Sequence, residues 1–147
     1  MRLSPAFRFA LYAAFCELFA TGAGWLLADQ LKDSSGDDMW PEIAASLLML
    51  HGGGAMAILM LLGALVPLHV QRAWRSGRNR TTGTAMITFN GVLIATAFAL
   101  YYLGAETLRL SAADLHIGAG LILPMLFVVH VVVGRRSAPS NGRRSPS

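Results

Sequence analysis

The chain has 147 residues, of which 54% are hydrophobic and only 14% are charged, and its formal net charge is +4 at pH 7. A mean hydropathy of +0.52 places it in the membrane class rather than among ordinary soluble domains. The single cysteine excludes an internal disulfide. The length is sufficient for one domain.

Four apolar stretches are long enough to cross a bilayer. In chain order they are 6–28, 43–70, 84–103 and 112–134. The first also resembles a signal peptide, but it is too long for a typical apolar core, it contains Glu17, and it offers no clean cleavage site. We therefore predict an all-α membrane protein, a four-helix transmembrane up-down bundle formed by residues 1–136. Residues 137–147, rich in Ser, Pro, Gly and Arg, are predicted to be a disordered cytoplasmic tail.

The basic residues collect on one side of the predicted bundle. Ten of the twelve lie before the first span, in the second connection or after the last span: Arg2, Arg8, Arg72, Arg75, Arg78, Arg80, Arg135, Arg136, Arg143 and Arg144. The first connection is acidic, with Asp29, Asp33, Asp37, Asp38 and Glu42 against Lys32. By the positive-inside rule both termini are cytoplasmic. This topology accounts for the net charge, so no nucleic-acid partner is expected.

All four histidines fall within two of the apolar stretches: His51, His69, His116 and His130. At about 100° per residue, the first two and the last two each lie on one face of a helix. The members of a pair are roughly 27 Å and 21 Å apart along the helix axis, against a hydrocarbon core of about 30 Å. Ionisable side chains inside apolar spans are costly and mark functional sites, so the two pairs indicate a bound group, and haem is the candidate.

Glycines follow the outer histidine of each pair. His51 precedes three glycines that include Gly53 and Gly54, and His116 is followed by Gly118 and Gly120. Glycine inside a helix costs about 0.5–1 kcal/mol relative to alanine, so this repetition suggests a steric need, such as room for a flat macrocycle. Close helix packing is the alternative explanation.

The predicted orientation makes the second and fourth helices parallel. His51 then meets His116 near the outer side, and His69 meets His130 near the inner side, giving two sites at two depths. For any one histidine the alternative is an ordinary polar core or interface residue. This alternative applies most strongly to His69, because the arginine-rich connection begins three residues later.

Two histidines on helix two and two on helix four resemble the haem-carrying half of the b-type cytochromes of quinol-oxidising complexes. The pattern is also similar to small bacterial dihaem cytochromes of the cytochrome b-561 kind and to membrane anchors of periplasmic dehydrogenases and hydrogenases. The resemblance covers roughly residues 6–136. In the quinol-oxidising complexes both histidine intervals are about 14 residues. Here His116 and His130 match that interval, whereas His51 and His69 are 18 residues apart.

The resemblance implies two non-covalent haems b with the four histidines as axial iron ligands. It implies electron transfer across a bacterial inner membrane, between quinone and a periplasmic or membrane redox protein, as a multi-pass carrier or as the cytochrome b subunit of a membrane oxidoreductase. Arg72, Arg75 and Arg135, next to the inner histidines, are candidate partners of the haem propionates. The absence of a Cys-x-x-Cys-His motif excludes covalent c-type haem.

Two other functions remain open on the sequence. A membrane transporter could bind a transition metal between the helices, although only two evident ligands per site is few for zinc. A non-redox anchor subunit is the second. Glu17, deep in the first span, either belongs to a proton path to a quinone site or makes a structural hydrogen bond to Thr96 or a backbone carbonyl.

Overall fold

The computed structural model describes residues 3–35, 39–77 and 79–136, and within these ranges the chain is helical and contains no β-strand. The elements are α1 (Pro5–Ser35), α2 (Met39–Leu65), a π-helical turn (Val66–Val70), α3 (Gln71–Ser76), α4 (Arg80–Tyr102) and α5 (Glu106–Arg136). The all-α prediction is confirmed. The long helices begin before the predicted spans because the helical backbone continues past the apolar residues into polar ends.

Local sequence explains where two of the helices begin. Ser4 Oγ accepts a hydrogen bond from the Phe7 amide at 3.2 Å, and Ser4 O accepts one from the Arg8 amide at 3.1 Å. Pro5 occupies the first position of α1, where its missing N–H costs no helix bond. Helix α4 follows Asn79, whose φ of 52° is left-handed, a conformation that asparagine adopts more readily than most residues.

Helices α1 and α2 form the first of two compact units, residues 1–72. Three contacts join the helices in reverse order along the chain: Glu17 with Gly54, Thr21 with His51, and Gly24 with Leu47. Because one residue number rises as the other falls, the two helices are antiparallel. This hairpin places the middle of α1 beside His51.

Helices α4 and α5 form the second unit, residues 73–147. Their contacts also run in reverse order: Asn79 with Gly134, Thr82 with His130, Leu93 with Gly120, and Thr96 with His116. The unit is therefore a second antiparallel hairpin. Both of its histidines lie on the side of α5 that packs against α4.

The helices expose most of their large apolar side chains. Phe9, Met49 and Tyr101 are 75%, 76% and 79% exposed, and the buried apolar residues are few and often small. Four helices have the length and hydropathy needed to cross a bilayer, with mean hydropathies between 1.4 and 2.3 in their most apolar windows. An apolar exterior of this kind suits lipid, and the chain is a multi-pass membrane protein.

The segment that joins His51 to His69 is not a regular α-helix. Pro67 has no N–H to donate, and the chain winds around it as a π-helical turn, in which the Gln71 amide bonds to Val66 O. The extra residue in this turn changes the direction of later side chains by about 100° relative to a straight helix. The prediction that both histidines share one face assumes a straight helix, and the π turn interrupts it.

Some residues behind the predicted orientation lie outside the described ranges: Arg2, Asp37, Asp38, Arg78, Arg143 and Arg144. The predicted disordered tail, residues 137–147, also lies outside them. The arrangement as one four-helix bundle and the cytoplasmic termini therefore stay predictions.

Candidate functional site

Three of the four histidines share one local environment. Each places its Nδ1 atom against the hydroxyl of a threonine on the neighbouring antiparallel helix. The Nδ1 to Oγ1 distances are 3.1 Å for His51 with Thr21, 2.8 Å for His116 with Thr96, and 2.9 Å for His130 with Thr82. The same donor and acceptor atoms therefore recur at three positions in two hairpins.

The hydrogen bonds of the threonines assign the protonation of the rings. Thr21 Oγ1 donates its one hydrogen to the Glu17 carbonyl at 2.8 Å, and Thr96 Oγ1 donates to the Val92 carbonyl at 2.7 Å. Each hydroxyl can then only accept from its histidine, so the proton lies on Nδ1. In the neutral ring this places the lone pair on Nε2, one of the two nitrogens through which imidazole binds metals.

His130 is held by a longer network. Asn79 Nδ2 donates to the backbone carbonyl of His130 at 3.3 Å, which orients the Asn79 amide so that its Oδ1 accepts from Thr82 Oγ1. His130 Nδ1 lies 2.9 Å from Thr82 Oγ1 and 3.5 Å from the Asn79 Nδ2 donor, so this network holds the ring without assigning its tautomer. Asn79, in the connection before α4, thus holds both the backbone and the ring of one histidine.

The hydrogen bonds of Thr21 and Thr96 are important because both threonines are buried. Thr21 is 7% exposed and Thr96 is 6% exposed, and they are the buried polar residues among the described part of the chain. A buried hydroxyl or imidazole N–H without a partner costs about 1–3 kcal/mol. Thr21 and Thr96 therefore also hold the rings of His51 and His116 in position.

Glycines let two histidines approach the neighbouring helix. A Cβ added at Gly22 would lie 3.2 Å from His51 Cε1, closer than side chains normally pack, and one at Gly83 would lie 3.9 Å from His130 Cε1. Each of these glycines directly follows the threonine that bonds the same ring. The Thr-Gly dipeptide therefore supplies a hydrogen-bond acceptor and a flat surface side by side.

The four glycines singled out in the sequence differ from one another. At Gly53 and Gly118 an added Cβ would meet nothing within 4 Å, and at Gly120 it would make ordinary contact with Leu93 at 3.9 Å. At Gly54 it would lie 2.6 Å from Cδ of Glu17. The prediction that these glycines make room for a macrocycle stays a prediction, and at Gly54 the room is taken by a carboxyl group of the same hairpin.

His69 differs from the other histidines. Its side chain is exposed, and it lies in the π-helical turn, just before α3 with Arg72 and Arg75. Both arginines, and Arg135 at the end of α5, are exposed at helix ends. Such positions suit the proposed contact with propionate groups at the edge of a membrane, and that role stays a prediction.

Glu17 carries the one buried side-chain oxygen that has no hydrogen-bond partner among the described residues, Oε2. Its own backbone carbonyl accepts the hydrogen bond from Thr21, and the side chain lies against Gly54, one turn after His51. The hydrogen bond predicted for Glu17, to Thr96 or to a backbone carbonyl, is therefore not made by its Oε2 atom.

A conventional metal-ion site finds no support in the described ranges. They contain no group of three or more His, Cys, Asp or Glu side chains placed to hold an ion. Zinc usually takes three or four protein ligands. A haem iron takes only one or two, because the macrocycle supplies the others, so isolated oriented imidazoles suit haem better.

The sequence identified the histidines but not Thr21, Thr82 and Asn79, and it gave Thr96 only as a possible partner of Glu17, whereas Thr96 lies against His116. A signal was present: Thr82 and Thr96 are 14 residues apart, the same interval as His116 and His130. In an antiparallel hairpin, matched intervals on the two helices place both pairs in contact. The repeated Thr-Gly dipeptide at 21–22 and 82–83 was a second signal.

Comparisons with protein-family models, with curated proteins and with solved structures find no match to this chain.

Proposed function

We propose that this protein is an integral membrane b-type cytochrome that holds two haems b and carries electrons across a bacterial inner membrane, between quinone and a redox partner. The observation that carries the proposal is the common environment of His51, His116 and His130. Each imidazole is held at Nδ1 by a threonine hydroxyl, and for His51 and His116 this places the lone pair of the neutral ring on Nε2. Orientation by a partner at the other ring nitrogen is typical of histidines that bind metals.

The donor chemistry fits haem. Neutral imidazoles in low-polarity surroundings are common axial ligands of haem iron, and no further protein ligand is required. Bound haem would supply a reversible one-electron centre. The chain would fix ligand orientation through Thr21, Thr82 and Thr96, exclude water with its apolar helices, and offer arginines near the membrane surface to the propionates.

The proposal keeps the pairing expected from the charge distribution, with His51 and His116 at the outer haem and His69 and His130 at the inner haem. It also keeps both termini in the cytoplasm, because the described basic residues Arg72, Arg75, Arg135 and Arg136 lie at the corresponding helix ends. The acidic connection between α1 and α2 is the proposed docking surface for a periplasmic redox protein.

The first experiment is an absorbance spectrum of the full chain purified from cells supplied with haem. We expect a sharp reducible b-type band and two haems per chain. A colourless protein would overturn the proposal. It would leave the anchor or transporter functions, which no specific feature of the described residues favours.

The second experiment assigns the ligands. Each histidine is replaced by alanine in turn, and haem per chain and the reduced spectrum are measured. His51→Ala and His116→Ala should remove the same spectral component, and His69→Ala and His130→Ala the other. Loss of different components within a pair would show that the pairing is wrong.

A further inference from the structure

The Glu17 side chain, in the first unit, has no assigned role in holding a histidine. Glu17 lies inside α1, in a helix apolar enough to cross a membrane, and its Oε2 is buried without a partner among the described residues. Leaving such an oxygen unpaired costs about 1–3 kcal/mol, and more if it is charged. A molecule that donates a hydrogen bond to this atom would therefore gain binding energy here.

The neighbouring glycines shape the surroundings of this carboxyl. Gly54 makes room for the Glu17 carboxyl, since an added Cβ at Gly54 would overlap the end of the Glu17 side chain. Gly53, the adjacent residue, is exposed, and an added Cβ there would meet nothing within 4 Å. Gly54 thus leaves a notch in α2 that the carboxyl occupies, and the helix surface at Gly53 beside it is open.

The notch is close to a proposed haem ligand. Glu17 and Thr21 are one turn apart on α1, and Gly54 and His51 are about one turn apart on the facing α2. A rise of about 1.5 Å per residue gives an axial offset of roughly 5 to 6 Å between the carboxyl and the histidine level. A molecule bound at Glu17 would lie within short electron-transfer reach of the His51 site.

We propose that Glu17, whose side chain packs against Gly54, forms a binding site for a lipid-soluble hydroquinone. This inference rests on the proposed function and names the site of its electron donor. The ligand must be soluble in the hydrocarbon region, because the site is inside an apolar helix. It must carry an O–H group for the carboxyl, and it must be oxidisable beside a haem; a hydroquinone meets all three conditions.

The reaction balances as follows. Oxidation of the hydroquinone to the quinone breaks two O–H bonds and gives two electrons and two protons. Ferric haem iron, where bound by the histidines, would supply the oxidant, with each iron taking one electron. The Glu17 carboxylate accepts each proton in succession and releases the first to water before it takes the second.

The kinetic test uses haem-loaded full-length protein in liposomes and duroquinol as the probe. Glu17→Gln keeps the size of the side chain but removes the proton acceptor, and Gly54→Ala displaces the carboxyl. Loss of a general base typically lowers a rate by about 100-fold or more, so Glu17→Gln should slow haem reduction by duroquinol to that extent. Gly54→Ala should slow it as well.

Gly63→Ala is the matched control, because it is the same substitution elsewhere on α2, at a position where an added Cβ would meet nothing within 4 Å. It should leave the duroquinol rate unchanged. Dithionite, which needs no binding site, should reduce the same amount of haem in all variants. Equal duroquinol rates in Glu17→Gln and the unaltered protein would overturn the proposal.

Infrared spectroscopy gives a readout that does not depend on haem. The carboxyl band that is missing in Glu17→Gln should shift in the unaltered protein when duroquinol is added. A band that does not move would overturn the binding site. If the protein proves colourless, the proposed function fails, while the infrared result still decides whether Glu17 binds the hydroquinone.

Discussion

Thr96 Oγ1 lies 2.8 Å from His116 Nδ1 and at the same time donates its hydrogen to a carbonyl of its own helix. The hydroxyl is therefore an acceptor for the ring, and in the neutral ring the lone pair is then on Nε2. A single threonine thus decides both the orientation and the tautomer of a histidine on another helix. The same relationship between Thr21 and His51 makes it a property of the fold rather than of one position.

Thr96→Val should weaken haem binding at the His116 site by about 10- to 100-fold, because it removes the acceptor of the half-buried Nδ1 hydrogen and leaves the ring able to turn. Haem titration of the apoprotein, followed by absorbance, measures the change. Thr96→Ser should restore tight binding, since it keeps the acceptor. Thr88→Val, the same substitution at an exposed position of α4, is the control; an equal loss there would refute a specific role for Thr96.

Asn79→Gly should affect the His130 site alone. Glycine adopts the left-handed backbone at least as well as asparagine, so the connection keeps its shape while the amide that orients Thr82 and holds the His130 carbonyl is lost. We expect weaker binding of the inner haem by about 10-fold or more, with the outer haem unchanged. Redox titration with spectral resolution of the two haems measures this. Equal weakening of both haems would contradict the assignment.

Gly22→Ala should disturb His51, because the added Cβ would lie 3.2 Å from Cε1 and the ring must move by a few tenths of an ångström. The expected result is a shifted midpoint potential or lower occupancy of the outer haem, measured by potentiometric titration of the purified protein. Gly24→Ala is the matched control on the same helix, since its Cβ would meet the flexible end of Leu47 at 3.3 Å. A larger effect from Gly24→Ala would count against the role of Gly22.

Pro67→Ala tests the π-helical turn. Alanine supplies the missing N–H, so the segment should return to a regular α-helix and His69 should turn by about 100°. If His69 is an inner ligand, the inner haem is lost or converted to a form with one protein ligand, which electron paramagnetic resonance detects. Pro124→Ala, at a proline inside the continuous helix α5, is the control. Retention of both haems in Pro67→Ala would argue that His69 does not bind iron.

The sequence by itself determined the helices and the membrane class. Apolar stretches of spanning length can satisfy their backbone polar groups in lipid only as helices or closed barrels, and the observed α1, α2, α4 and α5 follow the predicted spans. The sequence also identified all four histidines as candidate ligands, because an ionisable group in an apolar span can be recognised without knowing its contacts.

Only the tertiary structure decided what surrounds those histidines. Contacts between helices depend on register, and a shift of one residue rotates a side chain by about 100°. The register of each hairpin brings Thr21 to His51 and Thr96 to His116, and it places Glu17 on Gly54, a position that the sequence had assigned to a macrocycle. The sequence shows that Pro67 has no N–H to donate, but only the structure shows that the chain responds with a π turn, so spacing along the chain did not give the direction of His69.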